Sequence, residues 1–174
     1  RSTVKSVTHK SGRSGDLVFV TVTHDVFEDQ KHCIREEQDI VYRALPDSNV
    51  PTPTPPHAPT SCDFSRKIVP EPVLLFRYSA LTFNCHRIHY DHPYTTQIEG
   101  YDGLVIHGPL QATYLLNLAA RVAGCAPTSF TFRSIAPAQG AQTLKLTHQD
   151  GPEGMQLAVF SENGRQSMAA SARW

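Results

Sequence analysis

"PLQATYLLNLAARVAG", residues 109–124, is the segment on which the fold turns. Pro109 stands in a first helical turn, Arg121 in a last turn and Gly124 at the stop, the order expected of one complete helix. Leu110, Tyr114, Leu115, Leu118 and Val122, joined by Ala112, Leu116, Ala119 and Ala123, spread around most of its circumference. Polar positions are mainly Gln111, Thr113, Asn117 and Arg121. A surface helix would carry a wide polar side, so this one is expected to be largely enclosed. Four strand-like runs follow, "TSFTFRSIA" (128–136), "QTLKLTHQ" (142–149), "MQLAVFSE" (155–162) and "RQSMAASARW" (165–174), divided by the turns "DGPEG" and "ENG". One enclosed helix followed by an antiparallel meander predicts a sheet wrapped around that helix. The class is α+β; strands and helices do not alternate as they do in Rossmann or TIM-barrel chains.

Upstream, "EPVLLFRYSALTF" (71–83) fits either helix or strand, and "YDHPYTTQIEG" (90–100) a short helix entered near Pro93 and ended at Gly100. Residues 46–61 hold six of the thirteen prolines and are expected to form an extended linker and domain boundary. Residues 1–44 are β-rich. "DLVFVTVTHDVF" (16–27) is β-branched and aromatic, and "HCIREEQDIVYRA" (32–44) alternates loosely with Ile34, Ile40 and Tyr42 as inward positions. "KSGRSGD" (10–16) is the expected hairpin turn between strands. These strands carry no helix of their own and need a covering partner. The chain opens at Arg1 inside strand-like sequence, as expected of a processed, partial or trimmed chain.

Sixteen basic and sixteen acidic residues balance, so bulk charge favours neither nucleic acid nor an anionic membrane, and no apolar run reaches the length of a membrane span. The opening residues lack the pattern of a signal peptide. Cys33, Cys62, Cys85 and Cys125 form no CxxC pair and read as free thiols in a reducing compartment, which predicts a cytoplasmic location, or the mitochondrial matrix in a eukaryote.

The chemistry concentrates in "NCHRIHYDHPY" (84–94), with three histidines, an arginine, an aspartate and two tyrosines in eleven positions. Three uses compete. His86, His89 and His92 with Asp91 offer ligand types suited to Zn or Fe, although the spacing lacks the i, i+4 pair of a helical zincin site and Pro93 interrupts a helix through them. His89 could instead act as a proton acceptor and donor near neutral pH, with Asn84 holding a water. The third use is an ordinary polar loop, with His107 a satisfied half-buried residue. For the second, His107-Gly108 opens the enclosed helix, where unpaired amides and the positive helix end would polarise a carbonyl placed against the Gly108 N–H. A base and such a donor suit proton chemistry α,β to a thioester carbonyl.

The stretch "FRYSALTFNCHRIHYDHPYTTQIEGYDGLVIHGPLQATYLL" (76–116) resembles the MaoC-type hot-dog hydratases. It is most similar to their branch of mesaconyl-CoA and itaconyl-CoA hydratases and 3-hydroxyacyl-thioester dehydratases. In that family a D-x-N-P-x-H motif precedes a histidine–glycine pair that opens the hot-dog helix. His89 falls on the catalytic histidine, and His107-Gly108, eighteen residues after it, on the pair whose glycine amide binds the thioester oxygen. The family aspartate falls on Asn84, its proline on Arg87, and a position where some members carry a water-binding serine on Leu116.

The resemblance implies a double hot dog with its first repeat only partly present: residues 1–45 as the terminal strands of a first hot dog, and 62–174 as the catalytic one. It implies a hydro-lyase that reversibly hydrates an enoyl-CoA thioester of mesaconyl-C4 or itaconyl type. The alternatives are an (R)-3-hydroxyacyl-thioester dehydratase of fatty-acid synthesis and a non-catalytic acyl-thioester binding subunit. No cofactor or metal is expected, CoA arriving as part of the substrate, and the hot-dog domains are expected to pair within a chain or as a homo-oligomer. Asn84 is expected to orient the water while His89 alone takes and returns the proton. Arg77 or Arg87 would hold a substrate carboxylate, with a CoA phosphate contact or a surface salt bridge as other uses of a guanidinium. His107, Tyr78, Tyr90 and Tyr101 would line the pocket, and Asp91 would either orient His89 or cap the following helix.

Overall fold

The computed structural model describes residues 1–12, 15–43, 56–57 and 64–174. The chain divides into two compact units, Arg1–Thr52 and Pro53–Trp174. The expected linker (46–61) lies outside the described residues except at 56–57, as do Cys62 and the centre of the expected 10–16 turn.

The first unit is an antiparallel sheet of β1 (Ser2–Gly12), β2 (Gly15–Glu28) and β3 (Lys31–Arg43) in the order β1-β2-β3. The β-branched run of β2 pairs with a neighbour on each side. Ile40 is half-buried, but Ile34 and Tyr42, expected to face inward, are exposed. No helix lies among the described residues of this unit, so a strand face has nothing of its own to be buried against.

The second unit is the expected α+β arrangement. A five-stranded antiparallel sheet runs in the order β4-β6-β7-β8-β5, from β4 (Phe64–Ile68), β5 (Ser129–Ser134), β6 (Leu144–Gly151), β7 (Gly154–Phe160) and β8 (Gln166–Arg173). Every second residue of the central strands faces in: Leu144 and Leu146, Leu157 and Val159, Met168 and Ala170 are buried. Against that face lies α3 (Gly108–Ala123), with Leu115 and Ala119 fully enclosed and Gly124 as its left-handed cap. The helix is less enclosed than its composition predicts. Leu116 and Val122 are exposed while Gln111 is buried, because the sheet covers one side only. Gln111 meets that burial by accepting from Ser167 Oγ (2.6 Å) on β8 and donating to Ile106 O (3.4 Å).

The ambiguous 71–83 segment is a helix, α1 (Pro72–Leu81), with Pro72 in the first turn. α2 (His92–Gln97) is the expected short helix. Strand β4 was not expected from the sequence, since five residues give too short an alternation to read.

α1 closes in a Schellman pattern. Phe83 N–H donates to Ala80 O (3.3 Å) and Asn84 N–H to Ser79 O (2.9 Å). The left-handed position of that motif, φ +52°, is held by Phe83, whose side chain is 94% exposed. A bulky residue is strained there, and this one, so exposed, gains little from packing among the described residues. Phe83→Gly is therefore expected to stabilise the unit by about 1 kcal/mol, measured as a rise in Tm. An unchanged or lower Tm would contradict the strain.

Candidate active site

The site is assembled by a segment that is neither helix nor regular strand. Val105 makes an isolated bridge to Gln139; Ile106 N–H donates to Ala138 O and Gly140 N–H to Leu104 O, both at 2.8 Å. This depends on Gly103, where a Cβ would come within 3.0 Å of Gly140 Cα. Val105 is thereby clamped to the loop carrying His89 from both of its polar groups. Its N–H donates to Ile88 O (2.9 Å), and its carbonyl lies 2.7 Å from His89 Nδ1.

A carbonyl can only accept, so His89 carries its proton on Nδ1 and leaves the Nε2 lone pair free to take another. His89 is 7% exposed and closes a 3-10 turn, Arg87–His89. Its ring stacks on His107, with centroids 3.7 Å apart and planes 17° apart, and His86 stands edge-on at 5.7 Å. His107 immediately precedes Gly108, the first residue of α3. The structure thus brings the expected base against the residue next to the expected amide donor. Gly108 sits in close approach to β5, since a Cβ there would lie 2.9 Å from Ser134 Oγ and the hydroxyl would have to turn aside.

Burial pushes the His89 pKa below the ordinary histidine value; the bond to Val105 opposes that shift and the nearby His86 adds to it. Burial, then the proximity of His89, pushes His107 down to about 4. Both rings are neutral in the folded chain at neutral pH. Below about 6.5 the unfolded chain takes up protons at these positions that the folded chain refuses, so stability is complete above that pH and is lost as pH falls toward about 4. The urea midpoint is expected to fall between pH 7 and pH 5, roughly the window set by these two values. A constant midpoint would argue against neutral buried imidazoles.

The remaining sequence-predicted residues divide. Asn84 Oδ1 accepts from His86 N–H (3.0 Å), which leaves the amide NH2 as the group able to hold a water. Tyr78 is half-buried and meets His107 edge-on at 4.9 Å. Tyr90 donates to Cys85 O (2.9 Å) and packs on Phe76, and Tyr101 makes no ring contact with either stacked imidazole among the described residues. Asp91 caps α2 by accepting from Tyr94 N–H (3.1 Å) and pairs with Arg87 (2.7 Å); no hydrogen bond joins it to His89 among the described residues. Of the two uses weighed for Asp91, the structure places it in the cap. Arg87 is the exposed surface salt bridge weighed for it, with its guanidinium over the Tyr94 ring at 4.0 Å. Arg77 is exposed and has no ion pair among the described residues.

No three of His, Cys, Asp and Glu converge on a common point among the described residues. Cys33, Cys85 and Cys125 are free thiols, and no helix is long and apolar enough to cross a membrane. Ser79, buried in α1 with Oγ 2.8 Å from His107 Nε2, was missed by sequence reasoning; a lone serine in a helix carries no signal of its partner.

The family described as hydroxyacyl-thioester dehydratase type 2 matches residues 1–139. The chain is 45% identical over 169 residues to the mesaconyl-C(4)-CoA hydratase of Chloroflexus aurantiacus, an alignment spanning 97% of this chain and 60% of that protein. It is 31% identical over 131 residues to the mitochondrial hydroxyacyl-thioester dehydratase type 2 of Schizosaccharomyces pombe, spanning 73% and 43%. The chain covers less than two thirds of the length of both relatives. Among solved structures, HtdX of Mycobacterium tuberculosis superimposes with a TM-score of 0.72 at 19% identity, over 99% of this chain and 67% of that one. A MaoC-like dehydratase from Phytophthora capsici gives 0.69 at 14%, over 99% and 63%. These likenesses are of fold, and the fold is the hot dog.

Proposed function

We propose, because this chain belongs to the hydroxyacyl-thioester dehydratase type 2 family, that the whole protein is a hydro-lyase reversibly adding water across the α,β double bond of an enoyl-CoA thioester. The observation that carries this reading is His89 held by the Val105 carbonyl, with Nε2 left as base, and stacked on the residue that precedes Gly108. In hydration, Nε2 of His89 takes a proton from a water held by the Asn84 amide, and the water oxygen bonds to Cβ. The electron pair of the double bond moves toward the carbonyl, whose oxygen rests against the Gly108 N–H at the positive end of α3. His89 then returns the proton to Cα on the same face. Atoms balance with no co-reactant; we expect no organic cofactor or metal, with CoA entering as part of the substrate.

The preferred substrate class is a mesaconyl-C4- or itaconyl-type thioester, supported by the 45% identity to a mesaconyl-C(4)-CoA hydratase. Of the two arginines weighed for its carboxylate, we favour Arg77, which has no ion pair among the described residues, whereas Arg87 is engaged by Asp91. The relation to a hydroxyacyl-thioester dehydratase supports a second reading, in which the same groups run the reverse elimination on a longer acyl chain. Residues 1–45 fit the last strands of a first hot dog and 62–174 the catalytic one, and we expect hot-dog domains to pair within a chain or between copies. We expect the enzyme to work in the cytoplasm or, in a eukaryote, in the mitochondrial matrix, where acyl-CoA thioesters are available to it.

Turnover of mesaconyl-C4-CoA, itaconyl-CoA and crotonyl-CoA, compared side by side, tests the reading. Loss of enoyl absorbance without release of thiol is expected, fastest for a carboxylated substrate. Fastest turnover of crotonyl-CoA would favour the dehydratase reading. Binding of the thioesters without turnover would make the chain an acyl-thioester binding subunit.

A further inference from the structure

Ser79 touches both halves of the site. Its backbone carbonyl accepts from Asn84 N–H (2.9 Å), and its hydroxyl lies 2.8 Å from His107 Nε2. Both side chains are enclosed, Ser79 at 5% and His107 at 1% exposure. The other ring nitrogen of His107, Nδ1, is buried with no hydrogen-bond partner among the described residues.

That orphan nitrogen decides the tautomer. With a proton on Nδ1, a buried N–H would be left without an acceptor, an arrangement native structures seldom tolerate. With the proton on Nε2, Ser79 Oγ accepts it, and Nδ1 is a bare lone pair. His107 is the N-cap of α3, so that lone pair belongs to the end of the helix where the backbone is positive. The second arrangement leaves the smaller debt.

We propose that Ser79 is a positioning residue: its hydroxyl accepts the Nε2–H of His107 and so fixes the neutral ring on which His89 is stacked. The inference rests on the hydro-lyase reading for its consequence, since a fixed neutral ring accepts a cationic neighbour while a protonated one repels it. His89 becomes that cation each time it takes the proton of water. The ring of His107 has His89 on one face and Tyr78 at its edge.

Nitrogen-15 NMR of histidine-labelled protein, with steady-state kinetics on the three enoyl thioesters, tests this in Ser79→Ala and in the hydroxyl-retaining Ser79→Thr. In the wild type, His107 is expected to be protonated at Nε2 and bare at Nδ1. Ser79→Ala is expected to convert it to a mixture of tautomers and to lower kcat roughly tenfold, the size of one neutral hydrogen bond expressed as a rate, with KM within about twofold. Ser79→Thr is expected to restore the wild-type tautomer and most of kcat. A His107 tautomer that is the same in wild type and Ser79→Ala, or wild-type kcat in that variant, overturns the proposal. Should Ser79→Ala fail to fold, Ser79→Cys provides the same comparison with a side chain of similar size and a much weaker hydrogen-bond partner. The NMR readout needs no substrate. A wild-type protein inert toward every enoyl thioester overturns the hydro-lyase reading, while the tautomer response still decides whether Ser79 fixes His107.

Discussion

His89→Ala is expected to lower kcat for hydration of the preferred enoyl-CoA by roughly 10³-fold, within the span for losing a positioned general base. KM should change little, because the Gly108 amide and Arg77, the groups proposed to hold the thioester and its carboxylate, remain. The size of the loss follows from the absence of a substitute. His107, the adjacent imidazole, holds its pKa down at about 4 and directs Nε2 to Ser79. Asn84 does not titrate, and Asp91 is turned away into the α2 cap. His86 has its ring edge-on to His89, 5.7 Å away. The check is loss of enoyl absorbance under saturating substrate, with circular dichroism to establish that the variant is folded. A decrease of less than about tenfold would remove His89 as the base, since even a weak general base contributes more.

Gly108→Val is expected to cost about 10²- to 10³-fold in kcat/KM, comparable to losing an oxyanion-hole donor. Its Cβ would lie 2.9 Å from Ser134 Oγ and 3.9 Å from Met168 Cε, and the branched methyl groups have to displace one of them or the first turn of α3. Any such movement carries the Gly108 N–H away from the carbonyl it is proposed to hold. Gly108→Ala should be much milder, because the Ser134 hydroxyl can rotate away from a single methyl. Parallel kcat and KM measurements on both variants separate the two outcomes. Equal losses in Ala and Val would show that the site has no room for even one methyl group, and wild-type activity in both would remove the amide from the mechanism.

Much of this site is legible in the chain because its signals are local. Pro109 and Gly124 bracket α3 and the structure places its ends within a residue of them. The spacing of His89 from His107-Gly108 also survives folding as a ring stack. The details that escaped are tertiary. Gln111 looks like a surface residue of an apolar helix until Ser167 on β8 supplies a buried donor for it. Leu116 and Val122 look like core until a sheet covers only the other side of the helix. Arg87 and Asp91, four residues apart, each left more than one use open in the sequence, and the structure pairs them with one another at the surface while Asp91 caps α2. Ile34 and Tyr42 alternate as inward residues should, yet alternation names a face without supplying what covers it.

The orienting partner of His89 is a peptide oxygen, and no codon specifies a peptide oxygen. Exchange of Val105 for another aliphatic residue that fits the same buried space leaves that acceptor where it is, so such replacements at position 105 should retain function. The vulnerable positions are those that set the path of the main chain, Gly103 above all, where a Cβ would press on the Gly140 backbone at 3.0 Å and the bridge would have to shift. Mutational tolerance around this imidazole should therefore look inverted, permissive at the residue that holds it and intolerant two positions upstream.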